Sequence, residues 1–240
     1  MIGLGTIVNV AAVIVGGIVG IFLHGGLKKR FQEILMQSLG LATLFLGASG
    51  ALTGLLTAVD GQLLTRGSTV VILSLVLGSF IGECINIEGK IQTFGGWLKA
   101  KAGAASDPQF VDAFVSSTIV VCVGAMGVVG SLQDGLLGDP TMLYTKAALD
   151  FVIVLILGSM QGKGVIFAFI PLGLFQGSLT LFARFIEPVL TATAVHNLSF
   201  VGSVLIFGVG INLCFGPKIR VANMLPAVVL AVICAALQIM

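Results

Sequence analysis

Residues 143–188 read LYTKAALDFVIVLILGSMQGKGVIFAFIPLGLFQGSLTLFARFIEP. Apolar runs fill most of the stretch, yet it also holds Lys146, Asp150, Gln161, Lys163, Gln176, Arg184 and Glu187. Apolar runs of this length are at home in lipid. A charge inside one is costly unless it has a partner or faces water. The runs decide the fold class, and the polar groups set into them are where function is to be sought.

The rest of the chain has the same character. Over 240 residues it is 57% hydrophobic and 9% charged, with a mean hydropathy of +1.15. A soluble domain carries about 25% charge. No soluble fold of this size hides so much apolar surface, so the solvent is mostly lipid. Net charge is +2, and no basic cluster is large enough for nucleic-acid binding. Cys84, Cys122, Cys214 and Cys234 form no CxxC pair and sit in or at the ends of apolar runs. They read as small buried packing residues rather than metal ligands or a disulfide framework. The opening MIGLGTIVNVAAVIVGGIVG lacks a basic n-region and a clear cleavage site, so it is expected to be a retained first span rather than a signal peptide.

A span needs about 20 mostly apolar residues. On that rule the chain is expected to be an all-α polytopic membrane bundle of about eight helices. They cover roughly Leu4–Leu23, Ile34–Leu56, Thr69–Ile85, Val111–Leu132, Ala147–Gln161, Val165–Phe185, Leu198–Phe215 and Met224–Ile239. The sixth is expected to bend or break near Pro171. Between the third and fourth, Ile91, Phe94, Trp97 and Leu98 recur at helical spacing beside Lys90, Lys99 and Lys101. That pattern points to a short helix lying in the headgroup plane. VDGQLLTRGS reads as a polar turn.

Cations in short loops set orientation. Loops after odd-numbered spans hold nine: Lys28, Lys29, Arg30, Lys90, Lys99, Lys101, Lys163, Lys218 and Arg220. The other side holds Arg66, Lys146 and Arg184. Both termini are therefore expected outside, with the nine-cation loops in the cytoplasm. Residues 1–240 read as one transmembrane domain.

Within it a two-helix hairpin recurs, over about 1–60 and 63–135, with a partial third copy from about 141. At an offset of 62, VGGIVGIFLHGGLKKRF lies over LGSFIGECINIEGKIQTF, so that Gly16 and Gly20 meet Gly78 and Gly82. At a further offset of 80 they meet Gly158 and Gly162. Gly47-Ala48-Ser49-Gly50 likewise resembles Gly124-Ala125-Met126-Gly127, each followed by Asp-Gly at Asp60 and Asp134. Small residues four apart let helix backbones approach in lipid, so these six glycines read first as helix packing. They also leave faces suited to a second copy, and a homo-oligomer, a dimer in the simplest case, is expected. Gly208 and Gly210 could instead allow local unwinding, with Asn212 lining the opened segment.

The opening GTIVNVAAVIVGGIVG, KAALDFV, FQGSLTL, and the closing GVGINL and IRVANMLPAVV together resemble the bacterial YqgA/YdfK-type membrane proteins, a family of unknown function. The resemblance spans the whole chain. It implies an integral protein of the bacterial inner membrane, sometimes guessed to be a transporter. It brings no established activity and no assigned catalytic residue.

Six intramembrane polar residues are candidates for a solute or ion pathway: Asn9, Lys146, Asp150, Gln161, Gln176 and Asn212. Lys146 and Asp150 are four apart on one helix face, with Asp150 about 6 Å deeper at 1.5 Å per residue. Their pairing has two readings. It pins the outer end of the helix, or it holds a protonatable, solute-coordinating carboxylate beside a water-filled path. Shifted by both offsets, Asn9 falls on Phe151, next to Asp150, so Asn9 and Asp150 are expected at similar depth on a common axis. Lys163 is expected to snorkel, Arg184 and Glu187 to pair, and His196 and Asn197 to start the seventh span.

No HExxH, P-loop or Ser-His-Asp order occurs, and the chain has only His24 and His196, so an enzyme is not expected and no cofactor is implied. The leading expectation is a small-solute or ion transporter, driven by an ion gradient or a partner. The alternative is a non-transporting scaffold, sensor or regulatory partner. Membrane lipid is the expected neighbour.

Overall fold

A computed structural model describes residues 2–24, 28–59, 62–122, 125–189 and 191–237. Gly25 and Gly26 of the first loop, Asp60 and Gly61 of the polar turn, and Gly124 of the repeated motif lie outside the described residues. Helices α1 (Leu4–His24) and α2 (Lys29–Leu55) come first. Strands β1 (Leu56–Val59) and β2 (Gln62–Thr65) follow, then α3 (Ser68–Ile85), α4 (Ile87–Lys101), α5 (Phe110–Cys122) and α6 (Ala125–Leu137). Next are α7 (Thr141–Gln161), a 3₁₀ stretch Lys163–Ala168, α8 (Phe169–Leu181) and α9 (Ala183–Ile186). A 3₁₀ turn Glu187–Val189 leads to α10 (Ala192–Phe215), α11 (Val221–Met224) and α12 (Pro226–Ala236).

The protein is an all-α polytopic bundle with one small β-hairpin. Among the described residues, six stretches are long and apolar enough to cross a membrane: Leu4–Leu23, Glu33–Leu55, Ser68–Ile85, Thr141–Gln161, Lys163–Leu181 and Ala192–Phe215. The expected straight fourth span is instead α5 and α6, bent by 59° where they meet, which makes a seventh crossing if the bent pair is one span. Where the eighth was placed, Val221–Ala236 is apolar but short. The expected eight thus become six full crossings, a bent pair and a short apolar segment. The sixth runs through Pro171 unbroken, because it opens as a 3₁₀ stretch and places the proline in the first turn of α8. In the first turn of a helix a proline costs less than in the interior.

The polar turn is an antiparallel hairpin, from Leu56↔Thr65 to Val59↔Gln62. Its signal was Asp-Gly between β-compatible residues. The 91–98 segment is helical, as α4. Leu98 joins Ala104, Phe110, Phe114 and Val115 in a core cluster, while Trp97 is exposed and stacks on Phe94 at 5.7 Å.

The exterior is apolar. Phe22, Phe45, Leu46, Phe80, Leu174, Leu181 and Phe185 each expose more than two thirds of their surface. In water such a surface would drive association; in a bilayer it is the lipid-facing coat. Cys84 is exposed as well, so it is not the buried packing residue expected of it.

Backbone packing divides the chain into two discontinuous units. The first comprises Met1–Leu39, Glu88–Cys122 and Met126–Phe185; the second comprises Gly40–Ile87, Val123–Ala125 and Ile186–Met240. The units cut across the hairpins, since α1 falls in one and most of α2 in the other.

In the first unit α1 and α7 run parallel. Gly5 lies against Leu143, Gly16 against Phe151, and Gly20 against Leu155 and Gly158. Gly162 has a different role. It ends α7 at φ 81°, ψ −150°, a conformation open almost only to glycine, and the chain reverses into the 3₁₀ stretch. Gly164 then packs on the Phe110 carbonyl, and the Phe110 and Phe167 rings meet at 5.3 Å.

In the second unit α2 lies antiparallel to α10, with Gly40, Gly47, Gly50 and Gly54 against Cys214, Phe207, Ser203 and Phe200. This glycine stripe was only partly visible as the repeated Gly-Ala motif. Helix α3 packs against α11 and α12, with Gly78 on Ala227 and Gly82 on Asn223. Glycines matched by the repeat therefore meet dissimilar partners. Helix α10 is continuous through Gly208 and Gly210, and Gly210 packs on Leu44, so no unwinding occurs there.

Candidate functional site

The site is built in the first unit from the face of α7. Asp139 accepts from Thr141 N (3.0 Å) and Oγ1 (2.6 Å) at the start of that helix. These bonds hold its exposed carboxyl below the usual carboxylate range. From this start, Leu143, Lys146, Ala147, Asp150, Val154 and Leu157 fall on one buried stripe. Lys146 and Asp150 are 7% and 3% exposed. They point into protein, not lipid.

Lys146 Nζ donates to Asp150 Oδ2 at 2.5 Å and to the Val121 carbonyl at 2.8 Å. Val121 is in the last turn of α5, where carbonyls have no intrahelical donor. The break between α5 and α6 is thus what offers the lysine a backbone acceptor inside the bundle. Helix α1 contributes Asn9, whose Nδ2 donates to Asp150 Oδ2 (3.0 Å) and to Gln176 Oε1 of α8 (3.2 Å). The orientation of the Asn9 amide follows from those two acceptors. Asn9 and Gln176 are fully buried, yet Asn9 Oδ1 and Gln176 Nε2 find no protein partner among the described residues. On α6, Gly127 keeps one wall free of side chain; a Cβ there would come 3.3 Å from Lys146 Cε.

Toward the start of α1 the lining stays polar. The Thr6 and Thr180 hydroxyls are 3.4 Å apart. Asp134, fully buried on α6, accepts from Gly3 N (3.2 Å) and Gly5 N (3.0 Å). It caps α1 from another helix, where the free N–H groups and the positive end of the dipole favour a carboxylate. Asp134→Ala is expected to destabilise the protein by about 1–2 kcal/mol. Hydrogen exchange in the first turn of α1 should rise with it. In the opposite direction the lining is apolar, with Val13, Val154, Leu157 and Leu172 all fully buried before the glycine crossing.

Four of the six candidate polar residues, Asn9, Lys146, Asp150 and Gln176, therefore converge. Gln161 does not: it ends α7, about 16 Å farther along at 1.5 Å per residue. Its buried Oε1 has no protein partner among the described residues. Asn212 lies in the second unit, and its amide is used by the loop after α10. Nδ2 donates to Ile219 O (2.7 Å), and Oδ1 accepts from Lys218 N and Ile219 N (both 2.9 Å).

Other expectations are corrected locally. Arg184 and Glu187, expected to pair, are both exposed. In the second unit Arg220 pairs with Glu83, which also accepts from Asn223 Nδ2 (2.7 Å). Helix α10 starts at Ala192 under a Thr191 cap, so His196 and Asn197 lie inside it. Asn197 donates to Ala231 O, and both residues line a cavity of about 700 Å³ with Arg66. Asp134, Thr6, Thr180, Gly127 and the Val121 carbonyl were missed. Asp134 falls just beyond the end of the apolar run in the sequence, and a backbone carbonyl leaves no mark there. Among the described residues no group of three or more His, Cys, Asp or Glu could hold a metal ion.

An apolar exterior, six to seven crossings and a buried charged pair define a polytopic α-helical integral membrane protein. Comparison with known proteins places it more closely. The chain belongs to the DUF554 family of proteins of unknown function, whose pattern matches residues 4–236. It is 29% identical over 226 residues to the uncharacterized membrane protein YdfK of Bacillus subtilis (strain 168), covering 94% of this chain and 93% of that protein. It is 28% identical over 232 residues to the uncharacterized protein YqgA of Escherichia coli (strain K12), covering 95% and 94%. No solved structure matches it.

Proposed function

We propose that this protein moves a small solute or ion across the bacterial inner membrane, driven by an ion gradient or a partner protein, with Asp150 as the coupling charge. One observation carries the reading. A buried Lys146–Asp150 pair is closed over by two buried amides that leave one donor and one acceptor unused. Each charge costs about 2.5–3.5 kcal/mol to place at mid-membrane. A network kept only to join helices would be expected to satisfy its members, because a partly satisfied buried network is worse than an apolar core. Unused groups beside a charge are what a site that changes occupant requires. Buried polar contacts on one side and apolar packing on the other would suit a path that opens toward the polar side. The cation bias of the loops supports an orientation in which the polar end, with the N-terminus, faces outside.

The test is flux in proteoliposomes holding a trapped pH dye, across panels of solutes and alkali cations. Wild-type protein should give a solute- or cation-dependent flux, and Asp150→Asn should lower it at least about tenfold while leaving folding intact. No flux with any solute, together with a stoichiometric co-purifying protein, would favour a scaffold or regulatory partner instead.

A further inference from the structure

We infer that the place now held by the Lys146 ammonium is a monovalent-cation site, and that Lys146 is a tethered occupant which a free alkali cation displaces. The inference deepens the transport reading by naming the ion on which coupling turns.

Lys146 Nζ sits between a carboxylate oxygen, Asp150 Oδ2, and a main-chain carbonyl, Val121 O. Carboxylates and carbonyls are the ligands of hard cations. A carbonyl at the end of an interrupted membrane helix is especially suited, since the negative end of the helix dipole adds to it. The site has one formal negative charge. A single positive charge therefore makes it neutral, and a neutral site is the least costly to bury. A divalent ion would leave it charged.

The amides supply the second, independent observation. Asn9 now turns its donor to Asp150, which leaves Asn9 Oδ1 and Gln176 Nε2 unpaired and fully buried. Turning both amides by half a revolution lets Gln176 Nε2 donate to Asn9 Oδ1 and leaves Asn9 Nδ2 and Gln176 Oε1 as the unused groups, so both arrangements leave one donor and one acceptor over. It also brings Asn9 Oδ1 to where Nδ2 lies now, 3.0 Å from Asp150 Oδ2. Two oxygens at that separation repel unless a cation lies between them. The present arrangement matches lysine occupancy, and the turned one matches a free cation held by Asp150, Asn9 and Val121. Gly127 leaves the side of Lys146 without a wall side chain as the lysine withdraws.

The test uses purified full-length protein in detergent at fixed pH. Thermal unfolding is followed while NaCl, KCl or LiCl replaces choline chloride at constant ionic strength. Lys146→Ala should show a saturable rise in Tm with at least one alkali cation, at a concentration about tenfold or more below any that moves the wild type. Lys146→Gln, which keeps a donor for Val121 O, serves if the alanine variant does not fold, and should respond in the same sense. Adding Asp150→Asn to either should abolish the rise. An alkali response that is absent in both lysine variants overturns the inference. So does one that survives Asp150→Asn, or a Tm that follows pH alone, which would mark a proton site. Cation binding without flux would leave the site standing and sink the transport reading. Proton-coupled flux without cation binding would do the reverse.

Discussion

Lys146→Met alone should destabilise the protein in choline buffer by about 3–5 kcal/mol, the penalty for leaving one member of a buried ion pair uncompensated. Asp150 accepts from Lys146 and Asn9 while only 3% exposed. Without the ammonium, a charged, buried carboxylate would face one amide N–H. The double variant Lys146→Met with Asp150→Asn should lose less than half as much, because no charge then remains. Denaturant titration in mixed micelles, run as a double-mutant cycle, reads the coupling directly. Additive losses would mean that the two side chains do not depend on one another, and the site would have to be redrawn. The same cycle separates the structural from the functional view of the pair. A stabilising pin should be restored only by opposite charges, whereas a cation site should be restored by alkali ions.

The second large effect concerns the glycine crossings. A Cβ at Gly20 would overlap the Leu155 carbonyl, and one at Gly82 would overlap the Asn223 carbonyl. Both obstacles are backbone, so relief requires whole helices to separate. Gly20→Ala and Gly82→Ala should each cost about 3 kcal/mol, the upper end of the overpacking range. Gly96 and Gly177 are the controls, since nothing lies within 4 Å of a Cβ built at either. Gly96→Ala should raise stability by about 0.5–1 kcal/mol through helix propensity. If all four substitutions had the same effect, close approach would not be what these glycines provide.

Much of the site was legible in sequence and some was not, for identifiable reasons. Asp150, Lys146, Asn9 and Gln176 stand out because a polar side chain in an apolar run is conspicuous. The pairing of Lys146 with Asp150 follows from helical spacing. Asn9 could be set at the depth of Asp150 because the glycine spacings of the two segments match in the sequence. Asp134 was hidden by an uncertain span end. The glycine stripe of α2 was hidden by its spacing, which makes sense only once α10 is seen against it. Asn212 looked like a pathway residue because an asparagine after two glycines in an apolar run has no local partner. The partner is the backbone of the loop that follows.

By itself, the sequence determined that this is a multi-spanning helical membrane protein, roughly where its helices run, and which polar groups lie within them. Those properties depend on local composition: an apolar run of sufficient length has one solvent and, within it, one backbone geometry. Only the tertiary structure decided that the Lys146–Asp150 pair is buried in protein, that a helix break hands it the Val121 carbonyl, and that two amides from distant helices close over it with a donor and an acceptor unused. Those properties belong to contacts between helices far apart in the chain. In lipid the hydrophobic pattern says nothing about which helix faces which, because the surroundings are as apolar as the helices themselves.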